Sequence, residues 1–193
     1  DNLELLERFG AELIFFSPIH DEKLPDNLNG LIFYGGYPEL YAKELSENQS
    51  MIQEIKNAIT SGMPYLAECG GFMYLHEFME DMKGNTHPML GIIKGTVYKT
   101  SKLGRFGYIE LKSNKKSVFG NENLFCRGHE FHYFDSTSNG TDFVARKPLT
   151  NRSWECIHAN ENGVAGFPHM YYYSNPQMIV DFLKNCERTD EGE

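Results

Sequence analysis

Met63-Pro64-Tyr65-Leu66-Ala67-Glu68-Cys69-Gly70-Gly71-Phe72-Met73 runs from a short apolar strand pattern, through a cysteine and two glycines, into a helix pattern continued by Leu75, Phe78 and Met79. A strand that turns sharply into a helix places the turn residue at the C-terminal edge of a parallel sheet, where α/β folds bind their ligands. A thiol at that corner faces the free N–H groups and the positive dipole end of the next helix. Both favour the thiolate, which is the nucleophilic form. Gly70 and Gly71 let the backbone crowd the turn without a Cβ, as at nucleophile elbows. The competing reading at this point is a buried cysteine in an ordinary strand-to-helix turn.

Upstream, Leu31-Ile32-Phe33-Tyr34 reads as a buried parallel strand running into Gly35-Gly36-Tyr37-Pro38-Glu39. A glycine pair leaving the end of a strand can aim backbone N–H groups into the cleft of the Cys69 corner. With the Gly70 N–H this is the geometry of an oxyanion hole. Downstream, His169 lies 100 positions after Cys69, within Gly166-Phe167-Pro168-His169-Met170-Tyr171. A nucleophile and its base must meet in space and not in sequence, so this separation is no obstacle.

The remaining pattern is that of one α/β domain over residues 1–193. Leu3, Leu6 and Phe9 form a helical face ended by Gly10, Leu13 to Phe16 reads as a strand, and a helix is expected from Glu47 to Ser61. Ser46 and Gln49 give that helix a capping-box pattern, and Gly62 and Pro64 stop it. Such alternation predicts a mostly parallel sheet flanked by helices. From Gly84 onward short strand-like runs take over: Met89–Ile93, Thr96–Thr100, Phe106–Leu111, Leu124–Tyr133, Phe143–Arg146 and Trp154–His158. They predict an antiparallel extension in the second half. Asn175-Pro176 opens a last helix with Met178, Ile179, Phe182 and Leu183 inward, and the charged tail from Glu187 to Glu193 is expected to fray.

The chain has 18 Lys and Arg against 27 Asp and Glu, for a formal net charge of −9. That balance argues against nucleic acid and anionic membrane as partners, since both need a basic surface. No apolar run reaches the roughly 18 residues of a membrane span. Cys69, Cys126, Cys156 and Cys186 have no metal-ligand spacing, so no metal is expected. Scattered cysteines, one of them needed as a thiol, point to a reducing cytoplasm.

Three motifs in this order resemble one family. Gly35-Gly36-Tyr37-Pro38-Glu39, Ala67-Glu68-Cys69-Gly70-Gly71-Phe72-Met73-Tyr74-Leu75 and Arg127-Gly128-His129-Glu130-Phe131-His132-Tyr133 are similar to the class I glutamine amidotransferases, and within them to the glutaminase domain of cobyrinic acid a,c-diamide synthases. The resemblance covers nearly the whole chain and implies a flavodoxin-like α/β fold. It also implies glutamine hydrolysis through a cysteinyl thioester, with Cys69 as nucleophile, His169 as base, and Gly35, Gly36, Tyr37 and Gly70 around the substrate amide. The ammonia released would amidate the a and c acetate side chains of a corrinoid on a separate ATP-dependent synthetase domain N-terminal to this chain. ATP and Mg are expected there and not here, because no Gly-x-x-x-x-Gly-Lys-Ser/Thr loop occurs in these residues. Family members carry an apolar strand before the first helix, so the first strand is expected to be missing from this chain. Service to another synthetase, forming cobyric acid or amidating a cell-wall precursor, and a non-catalytic binding module are the other readings.

The chain departs from the family pattern at two places. Tyr34 stands where a third glycine is usual. Tyr171 stands two residues beyond His169, where class I glutaminases place an acid that orients the base. In Arg127–Tyr133, strand alternation puts His129 and Phe131 on one face and Glu130 and His132 on the other, which argues against a shared metal ion. A place at the mouth of the site, or against the synthetase domain, is one reading of this segment. Ordinary strand packing, with Arg127 and Glu130 paired at the surface, is the other. Glu68 adjoins the nucleophile.

Overall fold

The computed structural model describes residues 1–187 of the chain, so the expected fraying over 188–193 lies outside the described residues. The chain opens with α1 (Asn2–Arg8), followed by β1 (Leu31–Phe33), a 3-10 turn over Pro38–Leu40, α2 (Ala42–Glu47), α3 (Gln49–Thr60), β2 (Tyr65–Glu68) and α4 (Gly70–Tyr74). Strands then dominate: β3 (His76–Glu80), β4 (Thr86–Pro88), β5 (Ile93–Lys99), β6 (Phe106–Ser113), β7 (Phe125–Phe131), β8 (Phe134–Ser136) and β9 (Phe143–Arg146). Four more follow, β10 (Ser153–Cys156), β11 (His158–Ala159), β12 (Gly163–Gly166) and β13 (His169–Tyr171), before α5 (Gln177–Glu187).

These strands form three sheets. In the first, ordered β1-β2-β12-β11, the strands β1, β2 and β12 run parallel and β11 antiparallel. The second, β10-β9-β6-β7-β13, is antiparallel throughout. The third, β4-β3-β5-β8, is mixed. The α/β class and the antiparallel extension are as the sequence predicts, with parallel pairing limited to β1-β2-β12 and to the β3-β5 pair.

All four residues of β2 are buried, because a parallel strand between helices is covered on both faces. Tyr65, Ala67 and Cys69 pack into the core beneath α3 and α4, with Met51, Ile55 and Phe72. Leu66 points the other way, into a second core with Leu6, Ile179 and Phe182. The period of two therefore sets which chemistry lies on which side: Cys69 faces one core and Glu68 the other.

Several local expectations are corrected. The helix after Cys69 ends at Tyr74, and Phe78 and Met79 belong to β3, where Met79 is buried and Phe78 exposed. Pairing of β3 with β4 and β5 overrides the weak helical spacing there. Residues Leu13 to Phe16 form no strand, and Phe15 stays 80% exposed. The helix expected from Glu47 to Ser61 is present as α3, with its cap at Asn48 in place of Ser46. Asn48 caps α3 by accepting the Met51 N–H, while Ser46 Oγ donates to the Lys43 carbonyl. Helix α1 buries Leu5 and Leu6, leaving Leu3 and Phe9 partly exposed. Residues 89–92 are irregular chain ahead of β5 and not a strand.

Candidate active site

Cys69 sits between the end of β2 and the start of α4 with φ 51° and ψ −105°. A left-handed φ at a non-glycine residue costs on the order of 1–3 kcal/mol and collects at functional sites. Such a strained strand-to-helix corner is the conformation of a nucleophile elbow. Two contacts fix it. The Cys69 N–H donates to the Gly166 carbonyl at 2.9 Å, and the Gly71 N–H donates to the Tyr34 carbonyl at 3.1 Å. A Cβ on Gly71 would come within 2.2 Å of the Phe33 carbonyl oxygen, so only glycine lets α4 start this close to β1.

The Gly35-Gly36 segment closes on the same corner. A Cβ on Gly70 would lie 2.9 Å from the Gly36 nitrogen, and one on Gly35 would lie 2.5 Å from Cε1 of His169. The glycine loop therefore contacts both the elbow and the histidine. Tyr37, next along this loop, is 68% exposed. His169 begins β13 and pairs directly with His129 on β7, and the two rings stack 4.8 Å apart within 8° of parallel. The sulfur of Cys69 lies 3.9 Å from the Phe131 carbonyl on β7. Elbow, glycine loop, β7 and His169 thus line one cleft.

The thiolate expected from the sequence is corrected. Burial pushes the Cys69 thiol up to about 12, against the Gly70 backbone N–H, which favours the thiolate, and Glu39, Glu130 and Glu68 raise it further. A helix of five residues has too small a dipole to reverse that burial. His169 is lowered to about 4, first by burial and then by the neighbouring imidazoles of His129 and His132, with Glu130 acting in the opposite sense. The resting pair is therefore a neutral thiol and a neutral imidazole.

The other predicted residues divide by face. Along β7 exposed and buried residues alternate, with Arg127, His129 and Phe131 on the cleft face and Glu130 in the core. Arg127 and Glu130 are not a surface pair, because alternation places them on opposite sides of the strand. Glu130 is fully buried, with Oε2 3.9 Å from His132 Nε2. His132 is itself buried, its Nδ1 bonded to the Phe134 carbonyl at 2.5 Å and its ring stacked on Phe167. Tyr171 shares the cleft face of β13 with His169 but is 48% exposed, with its ring 5.8 Å from Tyr173.

Two further residues have no motif to announce them. The Asn2 side chain accepts from the Tyr172 N–H at 3.0 Å and donates to the Met170 carbonyl at 2.7 Å, clamping the segment that carries His169. The Tyr172 hydroxyl donates to Glu68 at 3.0 Å in the core behind the elbow. An acid inside an otherwise apolar buried strand was the one sequence signal for this second contact. Burial raises the Glu68 carboxyl from 4.5 to about 8, with hydrogen bonds from Tyr172 and the Met170 backbone partly opposing it. A folded-state value above the unfolded one means stability is greatest at low pH and falls as the pH rises from about 4.5 to about 8. Glu68→Gln is therefore expected to gain stability relative to the parent by up to about 1.4 kcal/mol per pH unit across that window. Urea midpoints at pH 5 and pH 8 measure this, and a parallel pH dependence in both proteins would refute it.

A family model for the CobB/CobQ-like glutamine amidotransferase domain matches residues 1–176. The chain is 42% identical over 188 residues to the cobyrinate a,c-diamide synthase of Caldanaerobacter subterraneus subsp. tengcongensis, covering 96% of this chain and 42% of that relative. It is 38% identical over 193 residues to the cobyrinate a,c-diamide synthase of Leptospira interrogans serogroup Icterohaemorrhagiae serovar Lai, covering 97% of this chain and again 42% of the relative. The chain thus spans about two fifths of the length of these curated relatives. Among solved structures, one described as a glutamine amidotransferase superposes with a TM-score of 0.65 at 18% identity, over 96% of this chain and 92% of that one, a likeness of fold.

Proposed function

Because the chain belongs to the CobB/CobQ-like glutamine amidotransferase domain family, we propose that it hydrolyses the side-chain amide of glutamine through a thioester on Cys69. The observation that carries this reading is the shared cleft, in which a cysteine in an elbow conformation meets a glycine loop and a histidine that touches that loop. In the proposed cycle Cys69 Sγ attacks the amide carbon while its proton passes to His169. The Gly36 and Gly70 N–H groups stabilise the oxyanion. His169 returns the proton to the leaving nitrogen, ammonia departs, and a thioester remains. Water, deprotonated by His169, then splits the thioester to glutamate and the free thiol.

A neutral resting pair suits this order, since sulfur and nitrogen exchange the proton during attack and no ion pair is formed beforehand. Glu39, which follows the glycine loop, acts electrostatically on Cys69, and its negative charge suits the α-ammonium group of an amino-acid substrate. The acceptor of the ammonia we take from the relatives: amidation of the a and c carboxylates of cobyrinic acid in corrinoid formation. The ATP-dependent activation, with its Mg, we assign to a synthetase domain of the longer protein. A reducing cytoplasm fits four cysteines none of which is in a disulfide. Among the described residues no helix is long and apolar enough to cross a membrane.

A glutaminase assay tests this reading. His169→Ala is expected to lower kcat about 10²–10⁴-fold, the usual contribution of general acid–base catalysis. Tyr171→Phe is expected to stay within about threefold of the parent. kcat/KM should remain level from pH 6 to pH 9 and fall as the pH approaches 4, where His169 takes up its proton. Equal losses in the two variants would show that Tyr171, and not the dyad alone, works the proton.

A further inference from the structure

Class I glutaminases orient the catalytic imidazole with an acid two residues further on, and here that position is a half-exposed tyrosine. Three other groups near His169 have orienting chemistry. Glu130 lies in the core, on the face of β7 turned away from the cleft. His132 is committed to the Phe134 carbonyl and to the Phe167 ring. His129 remains, and it touches the base itself.

His129 and His169 occupy directly opposed positions on adjacent antiparallel strands. Their rings are 4.8 Å apart and 8° from parallel. Here the strands approach so closely that a Cβ on Gly128 would come within 2.3 Å of the His169 carbonyl oxygen, which fixes the His169 backbone. The Cε1 edge of the imidazole meets Gly35, where a Cβ would come within 2.5 Å of Cε1. The His169 ring thus has a second ring on one face and a bare stretch of backbone at its edge, and both contacts depend on residue identity.

We propose that His129 is the positioning residue for His169, its stacked ring setting the plane of the base in place of the missing acid. This rests on the assignment of Cys69 and His169 above. An imidazole stacked on one face can tilt only by breaking that contact, so the plane of the base is kept. Stacking also keeps water from that face. A neutral His129 offers its π face to the imidazolium formed during turnover, a favourable if small interaction. A protonated His129 opposes it by like charge. The groups acting on His169 are His129, His132 and Glu130, with Cys69 across the cleft under the influence of Glu39 and Glu68. Among them His129 combines direct ring contact with solvent exposure, so it can be changed without disturbing the core.

The experiment uses the 193-residue chain and two variants, His129→Phe and His129→Ala. Glutaminase kinetics and NMR titration of histidine-labelled protein are measured together, with the His169 signal assigned by its loss in His169→Asn. His129→Ala is expected to lower kcat about tenfold or more with KM for glutamine within about twofold, a chemical-step loss. His129→Phe, which keeps the ring, is expected to recover most of that kcat at pH 8. In both variants the His169 titration should move upward, because a like charge has been removed. Equal kcat in parent and His129→Ala would overturn the proposal, as would an unmoved His169 titration or a His129→Phe as poor as His129→Ala. A parent that neither hydrolyses glutamine nor reacts with a glutamine analogue at Cys69 would instead overturn the catalytic assignment, and the His169 titration would still decide whether His129 positions that ring.

Discussion

Cys69→Ala reduces glutamine hydrolysis to the uncatalysed background, the largest functional loss expected of any single substitution in this chain. Alanine keeps the small side chain but removes the only atom proposed to bond to substrate, and no other thiol can replace it. Cys126, Cys156 and Cys186 are all buried, with burial pushing Cys126 and Cys186 up to about 12. Cys69 is also raised to about 12, so acidity is not what sets it apart. Its distinction is positional: a left-handed backbone corner, glycines on one side and an imidazole within the same cleft. Cys69→Ser tests that distinction, because a hydroxyl in the same place is a far weaker nucleophile without a stronger base. It should retain less than about one hundredth of the parent kcat, and comparable activity in serine and cysteine forms would argue against a thioester.

Gly71→Ala is expected to destabilise the fold by about 3 kcal/mol, at the upper end of the overpacking range. The added Cβ would sit 2.2 Å from the Phe33 carbonyl oxygen and 2.5 Å from the Phe33 Cβ. Backbone cannot swing aside as a flexible side chain can, so either α4 lifts from β1 or the β1–β2 pairing yields. The matched substitution is Gly36→Ala, where a Cβ meets nothing within 4 Å. Urea denaturation should therefore show a large fall in midpoint for Gly71→Ala and a small change for Gly36→Ala. Similar midpoints in the two would mean that the elbow is not held against β1 as described. Both glycines belong to motifs of the cleft, and they act differently: Gly71 makes the corner sterically possible, while Gly36 is free to serve the substrate.

Much of this cleft is legible in the sequence because each of its parts is a local signal. A short, largely apolar strand, a cysteine and two glycines specify the corner without any knowledge of distant contacts. The glycine pair after Phe33-Tyr34 is equally local. Even the separation of His129 and Glu130 onto opposite faces of β7 follows from the period of two, although which face is buried does not. The misreadings have a common cause in pairing partners far along the chain. Phe78 and Met79 look helical until β5 supplies a neighbour for β3, and Leu13 to Phe16 has strand composition without a strand beside it. The Asn2 clamp joins residues 168 positions apart in sequence, a separation that no local pattern encodes. The thiol acidity was misjudged for a different reason: motif logic counts the helix terminus but not the desolvation of a side chain only 7% exposed, and here desolvation dominates.

The central claim is that Cys69 is a nucleophile selected by a glutamine-shaped site. Treatment of the intact chain with 6-diazo-5-oxo-norleucine, followed by mass spectrometry of the digest, tests it most directly. The diazoketone carbon takes up the thiol's proton and is then attacked by the sulfur, which forms a carbon–sulfur bond and expels N2. The expected result is one adduct, of reagent mass less N2, on the peptide containing Cys69, with labelling suppressed by excess glutamine. Adducts spread over Cys126, Cys156 or Cys186, or labelling of Cys69 that glutamine does not suppress, would contradict it.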